Sequence, residues 1–196
     1  MKKGYIVLIV IAVVVLSIFF WFKGAYNGMV NMREAVSAQW SNVANQYQRR
    51  LDLIPNLVNT VKGYASHEEN TLTEVVNARA KATQMQLNID QLDEAALKKL
   101  SNIQGELSSA LSRLMAISEN YPDLKANQNF LDLQAQLEGT ENRIAVERRK
   151  FNDVARSYNA FILQFPRNLV AGMFGFTSKP YFEANAGAEN APKVEF

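Results

Sequence analysis

The sequence predicts an all-α protein in which a single N-terminal transmembrane helix precedes an antiparallel, up-and-down four-helix bundle. Three observations predict this class. Residues 5–22 form one uncharged, apolar run. After it, apolar residues recur at spacings of three and four, which is the period of an amphipathic helix. The sequence contains no alternation of apolar and polar residues of the kind that marks a strand. The predicted units are an anchor over 1–25, a bundle over 26–166, and an apolar segment with an extended tail over 167–196.

The apolar run is long enough to cross a bilayer once. Its 18 residues would span about 27 Å as a helix, close to the roughly 30 Å of a hydrocarbon core. A cleaved signal peptide would have a shorter run followed by small residues at a cleavage site, whereas this run ends in Phe-Phe-Trp-Phe-Lys. A buried core helix of this length would carry a polar face. We therefore expect a single-pass anchor.

The first amphipathic run is too long for one ordinary bundle helix, and a turn must interrupt it. Pro55 and Gly63 are its only helix breakers, and a turn at Asp52 to Pro55 would give two pieces of bundle length. Ser66-x-x-Glu69 resembles a capping box and offers a second place for the break. The alternative fold has three long helices, the first kinked at Pro55, because the apolar phase does not slip there. The apolar residues of this run are Met29, Met32, Val36, Trp40, Val43, Tyr47, Ile54, Val58, Val61, Ala65, Leu72 and Val75.

Two further helices follow. Asp90 or Asp93 caps a helix with apolar residues in threes and fours up to Ile117. Tyr121-Pro122-Asp123 ends that helix and opens the last one, because proline suits the first helical turn. The last helix is expected to run for about 42 residues and to stop at Pro166. Four pieces with narrow, coiled-coil-like apolar seams favour a bundle.

The segment after Pro166 is apolar, and two interpretations of it are open. It could cover the end of the bundle core as a plug, or it could contact lipid or another subunit. In an up-and-down bundle the fourth helix ends beside the start of the first, which places this segment near the membrane. The tail from Thr177 to Phe196 is expected to be extended and poorly ordered. The candidate contact residues are Leu169, Val170, Met173, Phe174 and Phe176.

Composition excludes several classes of function. With 21 Lys and Arg against 19 Asp and Glu, the net charge is +2, which gives no field for nucleic acid. Cysteine is absent, so the chain has no disulfide, no thiolate nucleophile and no cysteine metal site. His67 is the only histidine, which excludes sites that need two imidazoles.

Three charged residues fall on the apolar seams: Arg50, Glu68 and Glu147. An unpaired buried charge is costly, so these side chains either form an interhelical polar network or reach water at the seam edge. A metal needs three or four convergent ligands, and we predict no catalytic residue, metal or cofactor. A weak metal-dependent enzyme using His67, Glu68 and Glu147 is the alternative from another class.

Two groups of motifs, one in each half of the chain, carry a resemblance to a known family. Motifs in the first half of the chain resemble the LemA family: Ala25-Tyr-Asn, Trp40, Gln46-Tyr-Gln-Arg-Arg-Leu-Asp-Leu-Ile-Pro-Asn-Leu-Val58 and Val61-Lys-Gly-Tyr-Ala-Ser-His-Glu68. Motifs in the second half resemble the same family: Phe151-Asn-Asp-Val-Ala-Arg-Ser-Tyr-Asn159, Phe165-Pro-Arg-Asn-Leu, Phe174-Gly-Phe and Tyr181-Phe-Glu. The resemblance implies a bacterial, membrane-anchored four-helix bundle without established catalytic residues, and it points towards membrane organisation. Many relatives begin as lipoproteins with a cysteine. This sequence differs, and a true span is expected instead.

These observations predict a non-enzymatic interaction or scaffolding protein of the bacterial inner membrane. Its expected partners are the lipid bilayer, further copies of itself in a homo-oligomer, and other membrane proteins. An adaptor of a membrane protease or transport complex is the alternative. Lys2 and Lys3 lie on the short side of the anchor, which favours that side in the cytoplasm and the bundle outside it.

Overall fold

The computed structural model describes residues 2–85 and 88–183, which contain six α-helices and no strand. The prediction of an all-α fold is confirmed. Short 3-10 turns at Ile89–Gln91 and Ser118–Asn120 accompany the helices. The helices are α1 (Lys2–Tyr64), α2 (Glu69–Gln84), α3 (Glu94–Ile117), α4 (Pro122–Lys125), α5 (Gln128–Leu163) and α6 (Arg167–Phe174).

Helix α1 runs without a break from the apolar anchor to the far end of the bundle. Its 63 residues include Pro55, so the turn predicted at Asp52 to Pro55 is wrong. Proline has no N–H, and Pro55 therefore leaves the carbonyl of Leu51 without its helical partner. The Nε of Arg79 on α2 donates a hydrogen bond to this carbonyl at 2.9 Å. A side chain thus replaces the missing backbone donor, and the helix continues.

The chain reverses between Tyr64 and Glu69, the second place that the sequence offered. Glu68 is the N-cap of α2 and makes no side-chain capping hydrogen bond, so the capping box predicted from Ser66 and Glu69 does not form. Arg79 lies opposite Leu51, which shows that α2 returns antiparallel to α1. The alternative of three helices with a first helix kinked at Pro55 does not describe this reversal.

Ion pairs and hydrogen bonds give the order of the bundle. Lys81 pairs with Glu106 and Glu74 pairs with Arg113, so α2 and α3 are antiparallel. Gln39 in the middle of α1 contacts Glu147, and Tyr64 at the end of α1 contacts Asn127. Helix α5 therefore lies antiparallel along α1. Together α1, α2, α3 and α5 form an up-down-up-down arrangement.

The boundaries of the last two long helices follow their caps. The carboxylate of Asp93 accepts a hydrogen bond from the N–H of Ala96 at 2.7 Å and caps α3. Pro122 opens only the four-residue α4. A further break follows at Asn127, whose side chain caps α5. Helix α5 consequently has 36 residues, fewer than the 42 expected, and it ends at Leu163 before Pro166.

A polar layer divides the core into two apolar halves. The half nearer the anchor is built around Trp40, Phe151 and Tyr158. The distal half contains Ile54, Leu114, Phe130 and their neighbours. Between the two halves lie the buried polar side chains of Arg50, Gln104 and Thr140.

The first part of the tail packs against the bundle. Residues 177–183 have no helical structure, but the ring of Phe182 is buried between Trp40 and Phe151. The expectation of poor order is therefore wrong for these residues. Residues 184–196, which that expectation also covered, lie outside the described residues.

Candidate functional site

The apolar segment after Pro166 is a helix that folds back onto the start of the bundle. Helix α6 ends at Phe174, and the next residue, Gly175, has a φ of +72°, a left-handed conformation that favours glycine. The ring of Phe174 lies 5.7 Å from that of Phe22 and 4.9 Å from that of Tyr26. Phe176 contacts Tyr26 at 5.7 Å. The segment therefore lies beside the point where α1 leaves the apolar anchor.

The five residues predicted for contact with membrane or subunit divide between two faces of this segment. Val170 and Phe176 are buried and cover the end of the core, as the plug interpretation expects. Leu169, Met173 and Phe174 are exposed and leave an apolar surface open. The plug interpretation thus describes the buried part of the segment, and the contact of the exposed part with lipid or another subunit stays a prediction.

Leu163 and Phe165, which directly precede α6 in the chain, are two further exposed apolar residues that the sequence did not single out. The last helix was expected to run up to Pro166 and so to include Phe165, but α5 ends at Leu163 and Phe165 is 81% exposed. Pro166 directly after it was the available signal, since proline ends a helix. We call the whole exposed set the base patch. It consists of Leu163, Phe165, Leu169, Met173 and Phe174.

Basic side chains flank the base patch. The guanidinium of Arg167 lies 4.1 Å from the ring centre of Phe161, and that of Arg33 lies 5.4 Å from the ring centre of Phe176. Lys23 is exposed at the end of the apolar run. Aromatic and aliphatic side chains beside cations have the chemistry that suits a membrane interface.

The polar layer in the core is organised by Arg50. Its side chain is 2% exposed, and Nη1 donates to the carboxylate of Glu141 at 2.5 Å and to Ser108 Oγ at 3.0 Å. Nη2 donates to Gln104 Oε1. Glu141 is 55% exposed, so the ion pair reaches water on one side. Burial raises the pKa of the neighbouring Tyr47, against the lowering effect of Arg148 and Arg50.

The other two seam charges have different partners. Glu147 accepts hydrogen bonds from Lys150 at 2.8 Å and from Gln39 at 2.6 Å. These two bonds lower its pKa, in that order of importance. Glu68 accepts a hydrogen bond from the hydroxyl of Tyr121 at 3.2 Å. Partial burial, followed by this bond, raises the pKa of Tyr121.

The structure does not bring Glu68 and Glu147 together. Glu147 lies level with Gln39, while Glu68 follows the end of α1 at Tyr64. The intervening length of helix is roughly 38 Å. Among the residues that the structure describes, no group of three or more His, Asp or Glu side chains could hold a metal ion.

The anchor is the remaining part of this site. Of the described helices, only α1 is long and apolar enough to cross a membrane, and no residue of its apolar window is buried inside the protein. It therefore differs from the core helix of a soluble protein, which would be buried.

Comparison with protein families assigns the chain. The model of the LemA family matches residues 39–196, a span that includes the bundle from Gln39 onward and the tail. The chain belongs to the LemA family. As a LemA-type protein with an exposed apolar helix before its bundle, it is a membrane-associated protein.

Relatives of this LemA-family chain include magnetosome proteins. The chain is 31% identical to magnetosome protein MamQ of Magnetospirillum gryphiswaldense over 174 residues, which are 80% of this chain and 64% of the relative. MamQ 2 of Paramagnetospirillum magneticum is 32% identical over 176 residues, with shares of 81% and 64%. Protein LemA of Metamycoplasma hominis is 24% identical over 168 residues, with shares of 85% and 73%. The chain thus spans slightly less than two thirds of the length of the magnetosome relatives.

Proposed function

We propose that this protein is a non-enzymatic interaction or scaffolding protein, held in the bacterial inner membrane by residues 5–22 and self-associating there. The observation that carries this proposal is the unbroken helix α1, which joins an exposed apolar run directly to a bundle. A continuous helix fixes the position of the bundle relative to the bilayer. Relatives named as magnetosome proteins agree with a role in organising a membrane.

The base patch adds a second contact with the same bilayer. It is exposed in the described chain, and Phe174 contacts Phe22 in the last turn of the apolar run. The patch therefore continues the apolar surface of the anchor. Burying these side chains at the interface would hold the bundle against the membrane, because apolar surface is removed from water.

Depth of a fluorescent label tests this contact. The sequence has no cysteine, so Met173→Cys provides a single attachment site for a polarity-sensitive fluorophore. In vesicles of phosphatidylcholine and phosphatidylglycerol, we expect blue-shifted emission and protection from an aqueous quencher. Leu131→Cys is the matched control, because Leu131 is exposed near the distal start of α5. Equal quenching of the labels at positions 173 and 131 would contradict the proposed contact of the base patch with the membrane.

The proposal also places the bundle on the extracytoplasmic side. Lys2 and Lys3 precede the apolar run, and a short positively charged flank favours the cytoplasm. Lys99 is exposed on α3, so Lys99→Cys should react with a membrane-impermeant maleimide in intact spheroplasts. Labelling that appears only after lysis would contradict this orientation and would show that the bundle faces the cytoplasm.

Self-association is tested by crosslinking the full chain in native membranes. We expect a crosslinked dimer or larger species whose yield follows the expression level. A chain that stays monomeric at every expression level would contradict the self-associating scaffold.

A further inference from the structure

The C-terminal segment lies in a groove that has the geometry of a peptide-binding site. We call it the tail groove, formed by Trp40 of α1 and by four side chains of α5. Those four side chains are Arg148, Phe151, Asn152 and Asn159. The occupant is the extended segment 177–183.

Two asparagine side chains bind the main chain of the segment. Asn159 donates to the carbonyl of Lys179 and accepts from its N–H, both at 2.8 Å. Asn152 makes the same pair of bonds with Phe182, again at 2.8 Å. A carboxamide can donate and accept at once, so each side chain satisfies one residue of an extended chain as a neighbouring strand would.

The spacing of the two asparagines matches an extended peptide. Asn159 follows Asn152 by seven positions in the helix, a rise of about 10.5 Å. Lys179 and Phe182 are three residues apart, or about 10 Å in an extended chain. The segment runs antiparallel to α5, since Lys179 lies at Asn159 and Phe182 at Asn152. Main-chain binding of this kind does not depend on the side chains of the peptide.

An aromatic pocket adds side-chain selectivity. The ring of Phe182 stacks on Trp40 at 6.2 Å with an interplanar angle of 19°, and it meets Phe151 edge-on at 5.6 Å. The guanidinium of Arg148 lies 4.6 Å from the ring centre of Phe182. Arg148 also donates to the carbonyl of Glu183 at 3.2 Å. Stacking and cation–π contacts favour an aromatic residue at this position.

We propose that the tail groove is a binding site for extended peptides with one aromatic side chain, and that its partner between molecules is the same segment of a second copy. The inference rests on the proposed self-association and names its contact. The groove would make the same contacts with its own segment as with the segment of a second copy. The own segment is favoured mainly because it is covalently connected to the groove, and this connection limits exchange between copies.

Membrane anchoring favours this exchange. Phe176 is buried and Lys179 is bound, so Thr177 and Ser178 form a short connection that favours the chain's own segment in an isolated copy. Copies rooted in one bilayer by the same helix present their grooves at the same height. High local density then lets a neighbouring segment compete with the resident one.

Complementary full-length variants test the exchange. The acceptor carries Phe182→Ala, which weakens its own segment and leaves its groove intact. The donor carries Asn152→Ala with Asn159→Ala, which removes both main-chain contacts from its groove and leaves its segment intact. The two chains carry different affinity tags and are co-expressed and purified in mild detergent. We expect acceptor and donor to copurify. We expect no copurification when two differently tagged donors, or two differently tagged acceptors, are co-expressed.

The outcomes separate this inference from the scaffold proposal. Equal copurification of all three pairings would overturn segment exchange and leave self-association standing. No copurification of any pairing, the wild-type pair included, would overturn both. Asn142→Ala is the matched control on α5, because Asn142 is exposed, and it should behave as wild type.

A peptide measurement remains informative if the donor folds poorly. A synthetic peptide of residues 177–183 is titrated into the acceptor carrying Trp21→Phe, so that Trp40 is the only tryptophan. We expect a change in Trp40 emission that the peptide with Phe182→Ala does not produce. Absence of any change would overturn the tail groove as a peptide site. Peptide binding together with failed copurification of acceptor and donor would limit the groove to its own chain and overturn exchange.

Discussion

Arg50 illustrates how one buried charge divides the core of a bundle. It lies between the anchor-side and distal apolar halves, and its partners come from two other helices. The seam position of Arg50 in the sequence required that the charge be paired or reach water. The identity of the partners was not predictable, because Gln104, Ser108 and Glu141 are 54, 58 and 91 residues away and meet Arg50 only through the lateral order of the helices.

Substitution of Arg50 should destabilise the bundle. Arg50→Met removes the charge-assisted hydrogen bonds and leaves the buried Gln104 without this donor, so we expect a loss of about 1–3 kcal/mol in the free energy of unfolding. The measurement is denaturant unfolding of the full chain in mild detergent, followed by helical circular dichroism. Arg49→Met is the matched control, because Arg49 is exposed. Equal losses for both variants would contradict a structural role for the layer.

The pKa of Glu147 predicts a pH dependence of stability. Hydrogen bonds from Lys150 and Gln39 hold this pKa below its ordinary value of 4.5. A lowered folded-state pKa means that the carboxylate stabilises the fold above pH 4.5 and that this contribution is lost as pH falls through the folded-state pKa. Glu147→Gln should therefore be less stable than wild type at neutral pH, with the difference disappearing in acid.

Unfolding curves between neutral pH and pH 3 measure this difference. Solvent screening keeps the effect small, since Glu147 is partly exposed. Glu138→Gln on the same helix is the control. A difference between wild type and Glu147→Gln that does not change with pH would contradict the assignment.

At the scale of the element, α1 shows what periodicity could and could not predict. The apolar spacing continued in phase across Pro55, and this correctly indicated that a helix could pass through it. The expected turn was wrong because the sequence gives no sign of a donor for Leu51. Arg79 supplies that donor from 28 residues away, after the chain has reversed. A local pattern cannot report a contact that depends on the completed hairpin.

A double-mutant cycle tests this replacement. Arg79→Met should destabilise the wild-type bundle, because the carbonyl of Leu51 loses its donor. In the Pro55→Ala background the backbone N–H at position 55 is restored, and the same substitution should cost about 1 kcal/mol less. Denaturant unfolding of the four chains gives the coupling energy. Strict additivity would show that Arg79 does not compensate for the proline.

At the scale of the whole molecule, the four-piece bundle was predictable and the organisation of its membrane end was not. The seam period is a local signal, and it indicated the helical segments, but Pro55 suggested a turn about ten residues before the chain actually reverses after Tyr64. The fold of 167–183 depends on distant contacts, such as Phe174 with Phe22 and Phe182 with Trp40. The sequence marked the segment as apolar and close to the membrane, but it did not reveal which residues would be covered.

Lengthening α1 should separate the base patch from the bilayer. An insertion of seven alanines after Gly24 adds about 10.5 Å and nearly two whole turns, so it lifts the bundle with little rotation. A fluorophore at Met173→Cys should then become accessible to an aqueous quencher. The same label in the chain without the insertion is the reference. Unchanged protection would show that the patch is shielded by something other than the anchored bilayer.

The unbroken α1 is also a rigid spacer of fixed length between the apolar run and the far end of the bundle. From Lys23 to Tyr64 it contains 42 residues, which place the turn at 65–68 roughly 63 Å from the end of the apolar run. A membrane helix commonly tilts by about 20°, and a rigid rod of this length converts that tilt into a sideways displacement of roughly 20 Å at its tip. A change in bilayer thickness that alters the tilt is therefore enlarged at the far end of the molecule, and the proposed contact of the base patch with the bilayer would limit that displacement.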